Sequence, residues 1–143
     1  MPEIIEGIIK SDSKSLSKYD QIRKESDQFV KTYGKKYDII PCEESDYKNF
    51  IQSEDLKIER FYRIRALRSF SDVKKGDIGG IMDDSSFLSH KGNCWIYDNA
   101  IVVNKSYVVD DAVVKDTSYV IESFVENNSR IVDDCYIRSS NIS

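Results

Sequence analysis

Residues 94–142 read CWIYDN AIVVNK SYVVDD AVVKDT SYVIES FVENN SRIVDD CYIRSS NI, a stretch in which a small residue and a branched aliphatic residue return together every six positions. The small-residue column runs Cys94, Ala100, Ser106, Ala112, Ser118 and then Phe124, and the aliphatic column two positions later runs Ile96, Val102, Val108, Val114, Val120. Past Phe124 the register slips back by one residue and resumes, with Val125, Ile131 and Ile137 in one column and Ser129, Cys135 and Asn141 in the other. A fixed period of this kind marks a repeat architecture. Six is even, so in extended chain every aliphatic residue of the column falls on one side, whereas a helix of 3.6 residues per turn would spread it round the circumference. Between the columns lie Asp98-Asn99, Asn104-Lys105, Asp110-Asp111, Asp116-Thr117, Asn127-Asn128 and Asp133-Asp134. Asn and Asp tolerate tight or left-handed backbone, so each hexad is a short strand and a corner. Three sides close a coil of about eighteen residues, and stacking at the strand spacing of about 4.8 Å sets Ile96 under Val114 and Val102 under Val120.

The hexads resemble the left-handed parallel β-helix repeats of the hexapeptide-transferase superfamily. The stretches Tyr62-Arg63-Ile64-Arg65-Ala66-Leu67, Asp72 to Gly80 with its GDIGG run, Leu88-Ser89 and Gly92 to Ala100 (GNCWIYDNA) are similar to the opening of hexapeptide-repeat proteins found in prophages and bacterial genomes. The resemblance covers about residues 60–143 and implies the left hand, against the general preference for right-handed crossovers. The expected fold is mainly β: a short left-handed parallel β-helix of about three coils over 59–143, preceded by a small α/β piece over 1–58 containing one amphipathic helix.

Within that first piece, Ser11-Asp12-Ser13 forms an N-cap cluster ahead of Leu16, Tyr19, Ile22, Phe29, Val30 and Tyr33 at helical spacing, with Gly34 at the stop. The spacing predicts a helix over 14–33. Glu3 to Ile9 and Tyr37 to Ile40 read as short strands, and 44–53 as a helical turn or two with Tyr47, Phe50 and Ile51 on one side. A piece of this size is too small to stand alone and should pack on a second chain or on the coils, in that case at the end opposite the last one. Lys57 to Arg68 alternates as a strand, with Tyr62, Ile64 and Ala66 facing one way and Phe61, Arg63, Arg65 and Leu67 the other.

Composition narrows the chemistry. The chain has 143 residues and a net charge of −4, fitting one globular unit with an appendage. No apolar run approaches the ~20 residues of a membrane span, and Glu3 and Glu6 interrupt the apolar N-terminal stretch. Those features, with three scattered cysteines lacking metal-ligand spacing, point to a cytoplasmic protein of a bacterial host cell with reduced thiols. Residues 1–75 carry 16 Lys and Arg against 14 Asp and Glu (+2), and residues 76–143 carry 5 against 11 (−6).

The superfamily resemblance implies two enzyme classes: coenzyme A dependent acyltransferases with a catalytic histidine, and a carbonic anhydrase class with three histidines on a metal. The chain has one histidine, so a metal triad is excluded by count. His90, six before Ile96, stands in the aliphatic column and is the one candidate general base. Gly76 and the pair Gly79-Gly80 read as corner glycines, too sparse for a phosphate loop. No cofactor or metal is expected.

Three readings of function follow. The first is a non-enzymatic protein-binding module, phage- or mobile-element-encoded, such as an anti-CRISPR-like inhibitor of a host defence enzyme. It would present Asp98, Asp110, Asp111, Asp116, Glu122, Glu126, Asp133 and Asp134 along the outer edges to a basic or nucleic-acid-binding partner. The second is a reduced acyltransferase-like enzyme using His90. The third is single-stranded nucleic-acid binding through the basic, aromatic strand with Arg60, Arg63, Arg65 and Arg68. Because an uncovered terminal coil exposes unpaired backbone groups, a homodimer is also expected, with Val125, Ile131, Ile137 and Ile142 at its interface.

Overall fold

The computed structural model describes residues 2–53 and 60–143, and the side chains of α1 from residue 18 onward. Helix α1 (Pro2–Tyr33) is followed by β1 (Tyr37–Pro41), α2 (Glu44–Ser53), β2 (Phe61–Ala66) and β3 (Ile78–Asp83). Ten short strands complete the chain: β4 (Phe87–Leu88), β5 (Trp95–Ile96), β6 (Ile101–Val103), β7 (Tyr107–Val108), β8 (Val113–Val114), β9 (Tyr119–Ile121), β10 (Phe124–Val125), β11 (Arg130–Ile131), β12 (Tyr136–Arg138) and β13 (Asn141–Ile142).

From β3 onward the strands deal themselves into three parallel sheets, β3-β6-β9-β12, β4-β7-β10-β13 and β5-β8-β11, one strand per side per turn. This is a parallel β-solenoid of about four turns, one more than the hexads alone predicted. The added strands are β3 and β4, which complete the first turn ahead of β5 and whose corners are too irregular to show in the repeat. The aliphatic ladder is as expected: Ile96 pairs with Val114, Val102 with Val120, Val108 with Val125 and Val120 with Ile137. With Leu88, Met82 and Ile131 these residues fill the prism interior.

The slip of register has a local cause. The corner between the first two sheets holds three residues in the second turn (Asn104, Lys105, Ser106) and two in the third (Glu122, Ser123). Ser123 and Ser140, rather than the predicted Phe124 and Asn141, therefore occupy the small-residue corner. There the Ser106 amide donates to Ser86 Oγ (3.0 Å), the Ser123 amide to Ser106 Oγ (3.1 Å) and the Ser140 amide to Ser123 Oγ (3.0 Å). A hydroxyl that accepts the amide of the next turn satisfies a buried donor which an alanine would leave orphaned.

Four further expectations are corrected. The backbone is already helical at residue 2, so Glu3 to Ile9 belongs to α1 and not to a strand; isoleucines at 4, 5, 8 and 9 fit one face of a helix, and their β-preference counts for little without a partner strand. Gly79 and Gly80 lie inside β3 rather than at a corner: a Cβ on Gly79 would stand 2.6 Å from the Ile96 carbonyl, and one on Gly80 2.3 Å from Ile96 Cγ2. Their lack of a side chain lets the solenoid close on its first turn. His90 is not in the aliphatic column, because the corner from β4 to β5 is two residues longer than its successors and Leu88 takes the inward position. Finally, α1 does not sit at the end of the stack but lies along its side.

Each face of the prism receives one outer element. The sheet β1-β2-β3 is antiparallel and continues the first sheet below the first turn. Ile64 and Ala66 of β2 are buried beneath that turn, with Tyr62 packed against the same cluster, so the alternation read from the sequence holds; residues 57–59 of that reading lie outside the described residues. Phe50 of α2 is buried on the outer face of this sheet against Ile81, Ile101, Val103 and Ile121. Tyr19 and Arg23 of α1 cover the second sheet, at Tyr107, Phe124 and Phe87. Phe70 and Val73 close against Trp95 on the third.

Candidate functional site

The long corner that carries His90 is also where the N-terminal elements lock onto the coils. Gly92 makes the corner possible: its φ is +80°, and a Cβ there would stand 2.3 Å from the Asp110 carbonyl. His90 lies over Tyr37, ring centroids 4.2 Å apart and nearly parallel, and its own amide donates to Ser26 Oγ of α1 (2.9 Å). Its Nδ1 accepts the backbone N–H of Lys36 (3.0 Å). An imidazole accepting at Nδ1 carries its hydrogen on Nε2, so in this tautomer neither nitrogen is free to take a proton from a substrate. Burial, and behind it the charges of Lys36 and Lys35, hold the ring neutral, down to about 4.

Beneath His90 lies a group the sequence did not announce. Lys36 is fully buried, and its Nζ donates to the carbonyls of Gly92 (3.2 Å) and Cys94 (2.6 Å) and to Cys94 Sγ (3.3 Å), which uses all three ammonium hydrogens. Burial lowers the ammonium from the usual lysine range, with Cys94 opposing, and burial raises the Cys94 thiol. Tyr37 donates to the Leu88 carbonyl (2.5 Å), and burial pushes its phenol up. In the sequence Lys36 is one of two lysines after Gly34, with nothing local to set it apart, and only the three-dimensional closure of the first turn reveals it.

The eight acidic residues are spread over three edges rather than gathered. Asp110 Oδ2 accepts the Asn127 amide (2.9 Å), Asp116 Oδ2 the Asp133 amide (2.8 Å), Asp111 Oδ1 the Asn93 amide (3.0 Å) and Asp134 Oδ1 the Thr117 amide (3.2 Å). These four tie turn to turn. Bonds from Thr117 lower the Asp134 carboxyl. Glu126 pairs with Lys18 of α1 (3.6 Å). Asp98, Glu122 and Asp133 sit at left-handed φ of 58°, 50° and 60°, exposed, and their carboxylates make no hydrogen bond or ion pair among the described residues.

The arginines of the basic strand are engaged within the fold. Arg63 donates to the carbonyls of Gly79 and Asp98 (both 3.0 Å) and to Asn99 Oδ1 (2.8 Å), and pairs with Asp46 (3.2 Å), whose carboxyl it lowers. Arg65 meets Asp38 through two bonds (2.6 and 3.1 Å), and Arg60 meets Asp84 (3.3 Å). Arg68 lies over Phe29 and Phe70. The strand itself runs between β1 and β3, so its backbone edges are paired. Of the four residues expected at a dimer interface, Val125 and Ile131 are buried by the chain's own last turn, and Ile137 and Ile142 stay partly open. Among the described residues no three His, Cys, Asp or Glu side chains converge as a metal site would require, and no helix is long and apolar enough to cross a membrane.

No family model matches the chain. Over 40 residues, 27% of its length, it is 50% identical to the uncharacterized acetyltransferase YdcK of Escherichia coli (strain K12), of which the matched stretch spans 12%.

Proposed function

We propose that the protein is a non-enzymatic binding module that meets a basic protein partner along its acidic edges. The observation that carries this reading is the state of His90: its Nδ1 is given to the Lys36 amide and its ring is clamped on Tyr37, a structural post rather than a general base. What supports the acidic surface is the trio Asp98, Glu122 and Asp133, whose carboxylates do no work within the fold. Acidic groups arranged this way speed and select the encounter with a basic partner more than they add affinity. The reading carries no claim about phage origin or host defence.

A second reading, an acyltransferase-like activity, is favoured by the short match to YdcK. It would require His90 to give up the Lys36 amide and expose a lone pair. The two separate in one experiment, in which coenzyme A release from acetyl-coenzyme A is followed with a panel of amine and hydroxyl acceptors. No release above background is expected. Release that disappears in His90→Gln would overturn the binding-module reading.

A further inference from the structure

Between α1 and the corner that joins the first two sheets runs a groove whose upper part holds none of the residues expected at a site. Its upper part, about 480 Å³, is lined by Tyr19, Asp20 and Arg23 of the helix and by Ser85, Lys105 and Tyr107 of the solenoid. It continues past Tyr107 and Phe124 to the last turn as a second hollow of about 390 Å³. Volumes of this size fall in the range of small-molecule sites.

The floor is aromatic. Tyr107 and Phe124 stack with centroids 5.7 Å apart at 20°, and Phe87 and Tyr19 flank Tyr107 at 5.5 and 4.9 Å. The cations at its rim, Arg23 and Lys105, make no ion pair among the described residues. Arg23 spends Nε and Nη2 on the Tyr107 hydroxyl (3.0 and 2.9 Å), a neutral acceptor, and its guanidinium lies over the rings of Phe87 and Tyr107. Arg23 therefore keeps a whole positive charge, held in place, with Nη1 unspent. Lys105 is exposed, makes no ion pair or side-chain hydrogen bond among the described residues, and holds a left-handed φ of 63° that a lysine rarely adopts. Asp20 is the one carboxylate of the upper part and makes no ion pair among the described residues, so the lining there carries two cations against one anion. Glu122 belongs to the lower hollow.

We propose that the upper part of this groove binds a planar aromatic small molecule carrying one anionic group, its ring against Tyr107 and Tyr19 and its anion between Arg23 and Lys105. This site is independent of the proposed partner surface. The probe is 8-anilinonaphthalene-1-sulfonate, titrated by fluorescence into the whole protein, with uncharged N-phenyl-1-naphthylamine as its control. One saturable sulfonate site is expected, weakened about tenfold in Lys105→Gln and further in Arg23→Gln, with the uncharged naphthylamine unaffected by either. Tyr107→Leu should weaken both probes. Lys105 is exposed and its replacement leaves the fold intact, so sulfonate binding that is absent, non-saturable, or unchanged in Lys105→Gln overturns the proposal.

Discussion

At the residue scale, His90 shows how burial turns a candidate catalyst into a structural joint. In the unfolded chain its ring takes a proton near 6.5, whereas in the fold burial and the neighbouring lysines delay this until about 4. Because the unfolded state binds the proton first, stability from this group is complete above about 6.5, falls as pH drops through the window to about 4, and is level below it. Protonation would also set an N–H against the Lys36 amide in place of the present acceptor. The melting temperature should therefore fall between pH 6.5 and 4, and His90→Gln, which cannot titrate, should flatten that part of the curve. An equal slope in both proteins would mean that other groups carry the acid sensitivity. Lys36 belongs to the same joint, and its burial follows from a corner two residues longer than the rest, a detail that hexad counting passes over.

At the scale of elements, what decides the energetics is whether a polar side chain bridges several segments or decorates one. Arg63 reaches α2 through Asp46, β3 through Gly79 and the corner of Asp98 and Asn99, and its side chain is only 15% exposed. Removing it leaves two carbonyls without their donor. Arg63→Ala should cost about 2–3 kcal/mol in urea unfolding, and lysine, which lacks the planar fork, should not restore it. Arg65→Ala should change little, since its partner Asp38 is shared with water. Element by element, the strands with hexad spacing were legible because period, turn residues and interior volume all say the same thing, and β2 because its alternation places Ile64 and Ala66 inward. Residues 3–9 of α1 were not, since isoleucines at 4, 5, 8 and 9 suit either a helix face or a short strand until a neighbour chooses. Of the candidate sites, the arginine strand and the eight acidic corner residues were visible as residues, but the amides that engage Asp110, Asp111, Asp116 and Asp134 come from adjacent turns 17 or 18 residues away. That closure distance is set by corner lengths and is hidden from local reading.

On the scale of the whole molecule, α1 braces the flank of the coils, so the outermost strands β11, β12 and β13 each have one neighbour among the described residues. Tyr136 is 50% exposed there, and Ile137 and Ile142 are partly open. Such an edge templates further pairing, and we propose that two copies meet across it. Light scattering at high micromolar concentration should give the mass of a dimer, and Ile142→Glu should return it to a monomer; a wild-type monomer would defeat the idea. The corners, which vary from two residues to three at one edge and from four to six at the next, have a consequence for how such a chain can change length. Partners along the first sheet are 20, 18 and 17 residues apart, from Ile81 to Ile101, Tyr119 and Tyr136. The solenoid thus absorbs gains and losses of one or two residues at its edges while keeping its interior in step. A residue lost within a strand has no such outlet and turns the rest of that side inside out. Growth and erosion of this protein are confined to corners or to whole turns, and a chain of this design can lengthen by copying itself one turn at a time without any core residue changing its surroundings.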